Sequence, residues 1–383
     1  MRIAIDLSPA VHHHAGLGRY AHELLVALTH VAPSHTYNVF YYAPRGDERP
    51  APPLDHLPAR AIRLPAKPWR MAVLLADFGG APMDCWLPAG DVIHATDHLL
   101  PPVRGARTVF TIHDLIYRFY PEHHLPLNRW YLSLMLPRFM RRADAIIAVS
   151  ENTRRDVLRL MPEIPEEKIS VVYEGVSPIY RPIRDAVELS RVRTRYHLPD
   201  RFILALSTIE PRKNLPMLLE AYHALSQQRP DTPPLVLAGR SGWLYAPTFE
   251  KAHALGLEQH LCVTGWIAEE DMPALISMAE AFAYPSLYEG FGLPPLEALA
   301  CGAPVICSNA SSLPEVIGDA GLLVSPHDVK AWVEALQRVL TDPSLRAELC
   351  ARGLARARQF TWEAAARKTL AVYQAVSRTP TGD

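Results

Sequence analysis

Twice along 383 residues, short runs of β-branched and apolar residues alternate with longer stretches of helical periodicity. The first series is RIAID, NVFYY, DVIHA, RTVFTI, DAIIAVS and ISVVY; the second is FILALS, LVLAG, LCVTG, AFAYPS, PVICS and GLLVS. Helical stretches such as RYAHELLVALTHV and LNRWYLSLMLPRFMRR fill the gaps, a pattern that parallel sheets with helices on both faces require. The chain is too long for one ordinary core, so two series predict two doubly wound, Rossmann-like α/β domains. The segment SPIYRPIRDAVELSRVRTRYHLPD, rich in proline and charge, reads as a linker with a lead-in helix. The expected domains are therefore 1–183 and 184–360, with 361–383 a final helix packing back on the first. Residues 44–68, dense in proline, read as an extended connection rather than as fold. Leu215, Leu218, Leu219, Tyr222 and Leu225 form one apolar helical face. In open α/β sheets ligands bind beyond the carboxyl ends of the strands, so the expected site is the cleft that two such domains would face.

Composition narrows the class of partner. Lys and Arg (39) nearly cancel Asp and Glu (40), which gives nucleic acid no bulk attraction to follow. Cysteines 85, 262, 301, 307 and 350 form no C-x-x-C pair, as expected of reduced, mostly buried thiols in a cytoplasmic protein. MRIAIDLSP reads as a strand and not as a signal peptide, and no apolar run reaches the length of a membrane span. Membrane contact would have to be peripheral. The arginine-rich RFMRR and the KPWRM segment are candidates for touching anionic head groups, with a solvated face and one buried tryptophan as the alternative.

The densest chemistry lies in YPSLYEGFGLPPLEALACGAPV, residues 284–305. Glu289 follows a strand end; Gly290 and Gly292 let backbone approach a ligand. Pro294 and Pro295 suit the first positions of a helix, where no amide donor is lost. The amides of Phe291 to Leu293 then make an anion site fit for phosphate. Glu297, placed in the first turn, can accept hydrogen bonds from a vicinal diol such as a ribose, and Glu289 from a second sugar. Sugar acceptor, phosphate cradle and sugar acceptor is the order of a nucleotide-sugar. The plainer alternative makes Glu297 a partner of the helix dipole and Glu289 a solvated acid.

Other strand ends add to the set. In STIEPRKNLP, Arg212 and Lys213 precede a helix whose expected cap is Asn214, and two adjacent cations suit a departing diphosphate. In VFTIHDLIY, His113 follows a buried strand; it is either structural or in contact with a donor sugar, and Asp114 is a helix-start residue. HHHAGLGRYA matches G-x-G-x-x-A from Gly16 and Gly18 to Ala21, but residues 7–15 intervene after the strand and the second strand ends without a ribose-binding acid. A glycine-rich lip fits better than a dinucleotide site, and the three histidines read as loop residues. In AVSENTRRDV, Ser150 is expected to cap a helix and Arg154 and Arg155 to lie on the surface.

Together GLGRY, TIHD, VSENT, EPRKN, VTGW, EGFGLPPLEALACGAPV and the final FTW resemble family 4 glycosyltransferases, retaining enzymes of GT-B fold, across nearly the whole chain. The resemblance implies that Glu297 binds the nucleotide ribose and Glu289 the donor-sugar hydroxyls. Backbone at Gly290, Phe291, Gly292 and Leu293 would hold sugar and phosphates. Arg212 and Lys213 would stabilise the leaving diphosphate, and His113 would sit beside the anomeric carbon. Gly16 and Gly18 would close the phosphate side, with Gly265 and Trp266 near the base. It implies no metal and no further cofactor, front-face attack, and a glycan or lipid-linked acceptor; the chain contains no D-x-D. Two departures stand out: YEGVSP where many members carry Asn-Gly-Val-Asp, and STIE where many carry an arginine. The EPRKN form resembles bacterial mannosyl- and rhamnosyltransferases of surface polysaccharide assembly and favours GDP-mannose. The rival classes are a nicotinamide-dependent oxidoreductase, a non-hydrolysing sugar-nucleotide epimerase and a non-catalytic nucleotide-sugar binder. Oligomeric state is not legible.

Overall fold

The computed structural model describes residues 1–378, with Ala15 described by its backbone alone. The chain divides into two compact units, one formed by Met1–Gly175 with the chain from Thr361, the other by Val176–Phe360. The first unit thus ends eight residues before 183, and residues 176–183 group with the second. Residues 379–383 of the expected last segment lie outside the described residues.

The first unit holds a seven-stranded parallel sheet: β1 (Arg2–Asp6), β2 (Thr36–Tyr42), β3 (Ala59–Ile62), β4 (Val92–Ala95), β5 (Arg107–Ile112), β6 (Ala145–Ala148) and β7 (Ile169–Val171), in the order β3-β2-β1-β4-β5-β6-β7. One strand more is present than the sequence pattern predicts. Ala59–Ile62 lies inside the proline-rich stretch and pairs with β2, Ala59 opposite Val39 and Ile62 opposite Tyr42. It escaped notice because it is an edge strand of four residues, ARAI, in which Ile62 alone is buried. Strands with helices on both sides need apolar residues on both faces, and β4 and β6 are buried at every position. The final helix, Trp362–Arg378, packs against the helix Ala15–Val31 of this unit.

The second unit holds β8 (Ile203–Leu206), β9 (Leu235–Ala238), β10 (Leu261–Gly265), β11 (Ala281–Tyr284), β12 (Val305–Ser308) and β13 (Leu322–Val324), ordered β10-β9-β8-β11-β12-β13 and parallel throughout. Residues 215, 218, 219, 222 and 225 form the buried face expected of the helix Leu215–Gln228. The lead-in helix, Ala186–Arg195, is capped by the Asp185 side chain, which accepts from the Val187 amide. In both sheets the chain fills one side and then reverses, at β1/β4 in the first unit and β8/β11 in the second. Loops leaving the carboxyl ends of such a pair diverge in opposite directions and leave a crevice.

Among the cysteines, Cys301 and Cys307 are buried, Cys262 and Cys350 are half-buried and Cys85 is exposed, so Cys85 departs from the expectation of buried thiols. Among the described residues no helix is long and apolar enough to cross a membrane.

Candidate active site

Of the thirteen residues singled out as candidates, ten lie in the second unit and three in the first. Eight of the second-unit residues lie on the chain leaving β8 and β11, at the switch point, while Gly265 and Trp266 lie at the end of β10. The loop after β8 makes a short 3-10 turn, Pro211–Lys213, and the loop after β11 runs to the helix Leu293–Ala300. The Leu287 amide donates to the Arg212 carbonyl at 2.9 Å, so the two loops are stitched together at the backbone.

Across that stitch Glu289 takes both cations. Its Oε2 accepts from Arg212 Nη1 at 2.5 Å; its Oε1 accepts from Lys213 Nζ at 2.6 Å, Ser286 Oγ at 2.6 Å and Tyr284 OH at 2.9 Å. Arg212 also donates from Nε to Glu210 Oε1 at 3.0 Å, and Lys213 Nζ donates to Tyr284 OH at 2.7 Å. Burial alone would push the Glu289 carboxyl up, but Arg212, Lys213 and the donors on its oxygens outweigh it and bring it down to about 2. Burial and the neighbouring Arg212 push Lys213 down, against the pull of Glu289 and Glu210. Two cations and two carboxylates balance, so the cluster is stable as it stands.

This arrangement differs from a solvated loop acid and equally from a carboxylate open to sugar hydroxyls: Oε1 already accepts three donors. Tyr284, Ser286 and Glu210 hold the cluster and were not singled out from sequence. Tyr284 and Ser286 flank the strand end in YPS, and Glu210 stands directly before the PRK turn, which is the signal that was available.

Beyond Glu289 the chain turns through Gly292, whose φ of +120° only glycine adopts readily, and whose Cβ would meet Leu313 Cδ2 at 2.9 Å. Ser312 Oγ lies 2.9 Å from the Glu289 carbonyl and 2.7 Å from that of Phe291, and Ser311 Oγ accepts from the Glu289 amide at 2.8 Å, which fixes the loop. The Phe291 ring packs edge-on against Phe360. Leu293, Pro294 and Pro295 open the helix, as their order predicts. Glu297 is its fifth residue, just past the first turn in which it was expected, and is 2 % exposed. Asn214 is not a side-chain cap: it sits in the left-handed region, and its Nδ2 donates to the carbonyls of Pro285 and Pro326.

Gly265 ends β10 with φ of +69° and open space where a Cβ would be, and Trp266 beside it is exposed with the Arg240 guanidinium 5.3 Å from its ring centre. The Gly239 amide donates to the Gly265 carbonyl at 2.8 Å, and a Cβ on Gly239 would fall 2.0 Å from the Ser207 carbonyl oxygen. The ends of β8, β9 and β10 are thereby drawn close together.

In the first unit His113 follows β5 and is buried. Its Nε2 donates to the Thr96 carbonyl at 2.9 Å, its Nδ1 lies 3.5 Å from Glu174 Oε1, and the Tyr20 ring packs edge-on against it. Because a carbonyl only accepts, Nε2 carries a proton. Glu174 belongs to the departing YEGVSP, and Gly175 after it is required by the Trp362 amide nitrogen, 2.3 Å from where a Cβ would stand. Gly16 and Gly18 lie within the first turn of the helix Ala15–Val31, not in a loop. Gly18 has a packing role there: a Cβ would meet the Pro9 carbonyl oxygen at 2.7 Å. Ser150 caps its helix through the Thr153 amide, as expected.

Two family models cover most of the chain, Glycosyltransferase Family 4 over residues 14–179 and Glycosyl transferases group 1 over 188–356. The chain is 38 % identical over 285 residues to O-antigen chain mannosyltransferase B of Escherichia coli, covering 74 % of each protein. It is 36 % identical over 264 residues to a serotype-specific mannosyltransferase of the same organism, covering 67 % of this chain and 32 % of that longer protein. Sucrose-phosphate synthase from Thermosynechococcus elongatus superposes with a TM-score of 0.76 at 22 % identity, over 98 % of this chain and 99 % of that one. The oxidoreductase and epimerase readings fall away. Two Rossmann-like sheets, the family motifs on their carboxyl-end loops and these relatives lead to one assignment: the chain belongs to glycosyltransferase family 4 and is a hexosyltransferase.

Proposed function

We propose that this enzyme transfers mannose from GDP-mannose, with retention and without a metal or other cofactor, to a glycan or lipid-linked glycan acceptor in cytoplasmic polysaccharide assembly. The observation that carries the reading is the Glu289–Arg212–Lys213 cluster at the β8/β11 switch point, set directly before the helix that begins at Leu293. A departing diphosphate gains negative charge. Arg212 and Lys213 would meet it from one side, and the amides entering the helix from the other. Two fixed cations supply the charge stabilisation that a metal ion supplies elsewhere.

Glu289 orients those cations, and through them acts on the leaving group; any contact with the sugar is added to that task. A carboxylate held ionised by four donors is a poor nucleophile, which favours front-face attack assisted by the leaving phosphate over a covalent intermediate. Glu297 would take the ribose, with Gly265 and Trp266 beside the base. Mannose is favoured by the relatives named as mannosyltransferases.

The test is thermal stabilisation and calorimetry with GDP, UDP, ADP and dTDP sugars, without added metal, on wild type and Glu297→Ala. GDP-mannose is expected to stabilise the wild type, by about 2.7 kcal/mol at a hundredfold excess over Kd, and to lose that effect in the variant. Stabilisation by another nucleotide alone would overturn the donor, and stabilisation unchanged in Glu297→Ala would overturn the ribose contact.

A further inference from the structure

At the β9/β10 side of the second sheet an indole and a cation face water together. Trp266 directly follows β10 and is 55 % exposed, although Ile267 and Ala268 after it are buried. The chain turns it outward at Gly265, whose φ of +69° and open Cβ position leave the strand end bare. On the far side the Ala268 amide donates to Tyr196 OH at 3.1 Å and fixes the turn. Arg240 is the second residue after β9, and its guanidinium lies 5.3 Å from the Trp266 ring centre. It is exposed, and among the described residues it makes no salt bridge and its side chain donates no hydrogen bond. A fork of N–H donors without an acceptor thus stands beside a half-wet aromatic face. The backbone beneath it is fixed. The Ile209 amide donates to the Arg240 carbonyl at 2.9 Å and the Gly242 amide to the Ile209 carbonyl at 2.9 Å; the next residue, Glu210, holds Arg212. The loop that sets the leaving-group cations therefore also sets Arg240, at the same carboxyl ends of a parallel sheet.

At 5.3 Å the guanidinium stands farther from the ring centre than the roughly 3.5–4 Å of direct stacking, so part of the indole stays uncovered. A planar ring laid on that part brings one edge to the guanidinium. Stacking serves every base, and so supplies affinity without choice. The edge supplies the choice. Guanine carries two adjacent acceptors, N7 and O6, which match the fork of a guanidinium. Adenine has an amino group in place of O6, whose hydrogens would meet those of the guanidinium; uracil and thymine lack N7 altogether. A surface contact with no other role would leave these donors to water. Here they are held at the crevice, with no carboxylate in salt-bridge reach to occupy them.

We propose that Arg240 selects the nucleobase of the donor, that Trp266 is the face on which the base stacks, and that the base selected is guanine. The inference rests on the reading that places the base beside Gly265 and Trp266, and it names the residue that chooses. Calorimetry on the full chain, without acceptor or added metal, tests it with GDP, IDP, 7-deaza-GDP, ADP and UDP. The wild type is expected to bind ADP and UDP on the order of tenfold to a hundredfold more weakly than GDP. IDP keeps N7 and O6 and should share the preference; 7-deaza-GDP, with a carbon at that position, should fall between. Arg240→Ala should bring GDP down to the level of ADP. Arg240→Gln, whose amide both donates and accepts, should turn the preference toward ADP. Trp266→Ala should weaken all of them alike. Circular dichroism should be unchanged in each variant, since both side chains are exposed. A GDP preference kept in full by Arg240→Ala would overturn the role of Arg240 and leave the donor reading standing. GDP binding unchanged in Trp266→Ala would overturn the position of the base and this proposal with it, and no binding of any nucleotide would overturn both readings.

Discussion

At the scale of single residues, Glu289 decides most. It is 7 % exposed and holds two cations that would otherwise repel each other in a poorly solvated place. Glu289→Gln keeps the shape and removes the charge, leaving Lys213 buried without its anion. The expected cost is about 3 kcal/mol of stability, with a loss of transfer rate of about a hundredfold, read by urea unfolding and by kcat. The wild-type carboxyl is held at about 2 against an ordinary 4.5, so its contribution is complete above pH 4.5 and lost as the pH falls from there toward 2. Urea unfolding across that window should show a loss of up to about 3 kcal/mol in the wild type that Glu289→Gln lacks. The acid and its two cations were all legible in EPRKN and YEGFG; their mutual contact was not. Lys213 and Glu289 stand 76 positions apart, and spacing along a chain says nothing of which loops a switch point brings together.

At the scale of elements, glycines separate the tasks of the loops. Gly239 directly follows β9 at φ of +133°, where a Cβ would lie 2.0 Å from a backbone oxygen that cannot swing away; Gly265 ends β10 at φ of +69° with empty space around it. Gly239→Ala should therefore cost about 3 kcal/mol or more, because strain adds to a backbone clash, and Gly265→Ala only about 1 kcal/mol. Equilibrium unfolding of the two variants checks the contrast, and equal costs would count against it. The same distinction explains where sequence reading faltered. Gly16 and Gly18 matched a phosphate-loop spacing, yet Gly18 is small because the helix Ala15–Val31 crosses the Pro9 carbonyl. Strands buried on both faces announced themselves through unbroken apolar runs. The edge strand β3 did not, since one face and one edge of it meet water and ARAI looks like any connector.

At the scale of the molecule, the final helix Trp362–Arg378 is the piece of chain that returns to the first unit, and a buried polar chain ties it there. Tyr373 OH lies 2.6 Å from His94 Nδ1, His94 Nε2 lies 2.7 Å from Thr111 Oγ1, and Thr111 Oγ1 lies 2.9 Å from Tyr20 OH. Helix, β4, β5 and the helix Ala15–Val31 are joined in one line. Burial, with a smaller push from His113, brings His94 down to about 3, so it stays neutral and one ring nitrogen donates while the other accepts. Tyr373→Phe deletes one end of that line and strands a ring nitrogen where water does not reach. It should cost the first unit about 1–3 kcal/mol, the usual penalty for an orphaned buried polar group. Because the two units have separate sheets and cores, the loss should fall on the first unit alone. Amide hydrogen exchange resolves this: protection should drop in β4, β5 and the helices Ala15–Val31 and Trp362–Arg378, while β8, β11 and the helix Leu293–Ala300 keep theirs. A uniform drop across both sheets would mean that the two units unfold as one, and that the returning helix couples them instead of completing the first.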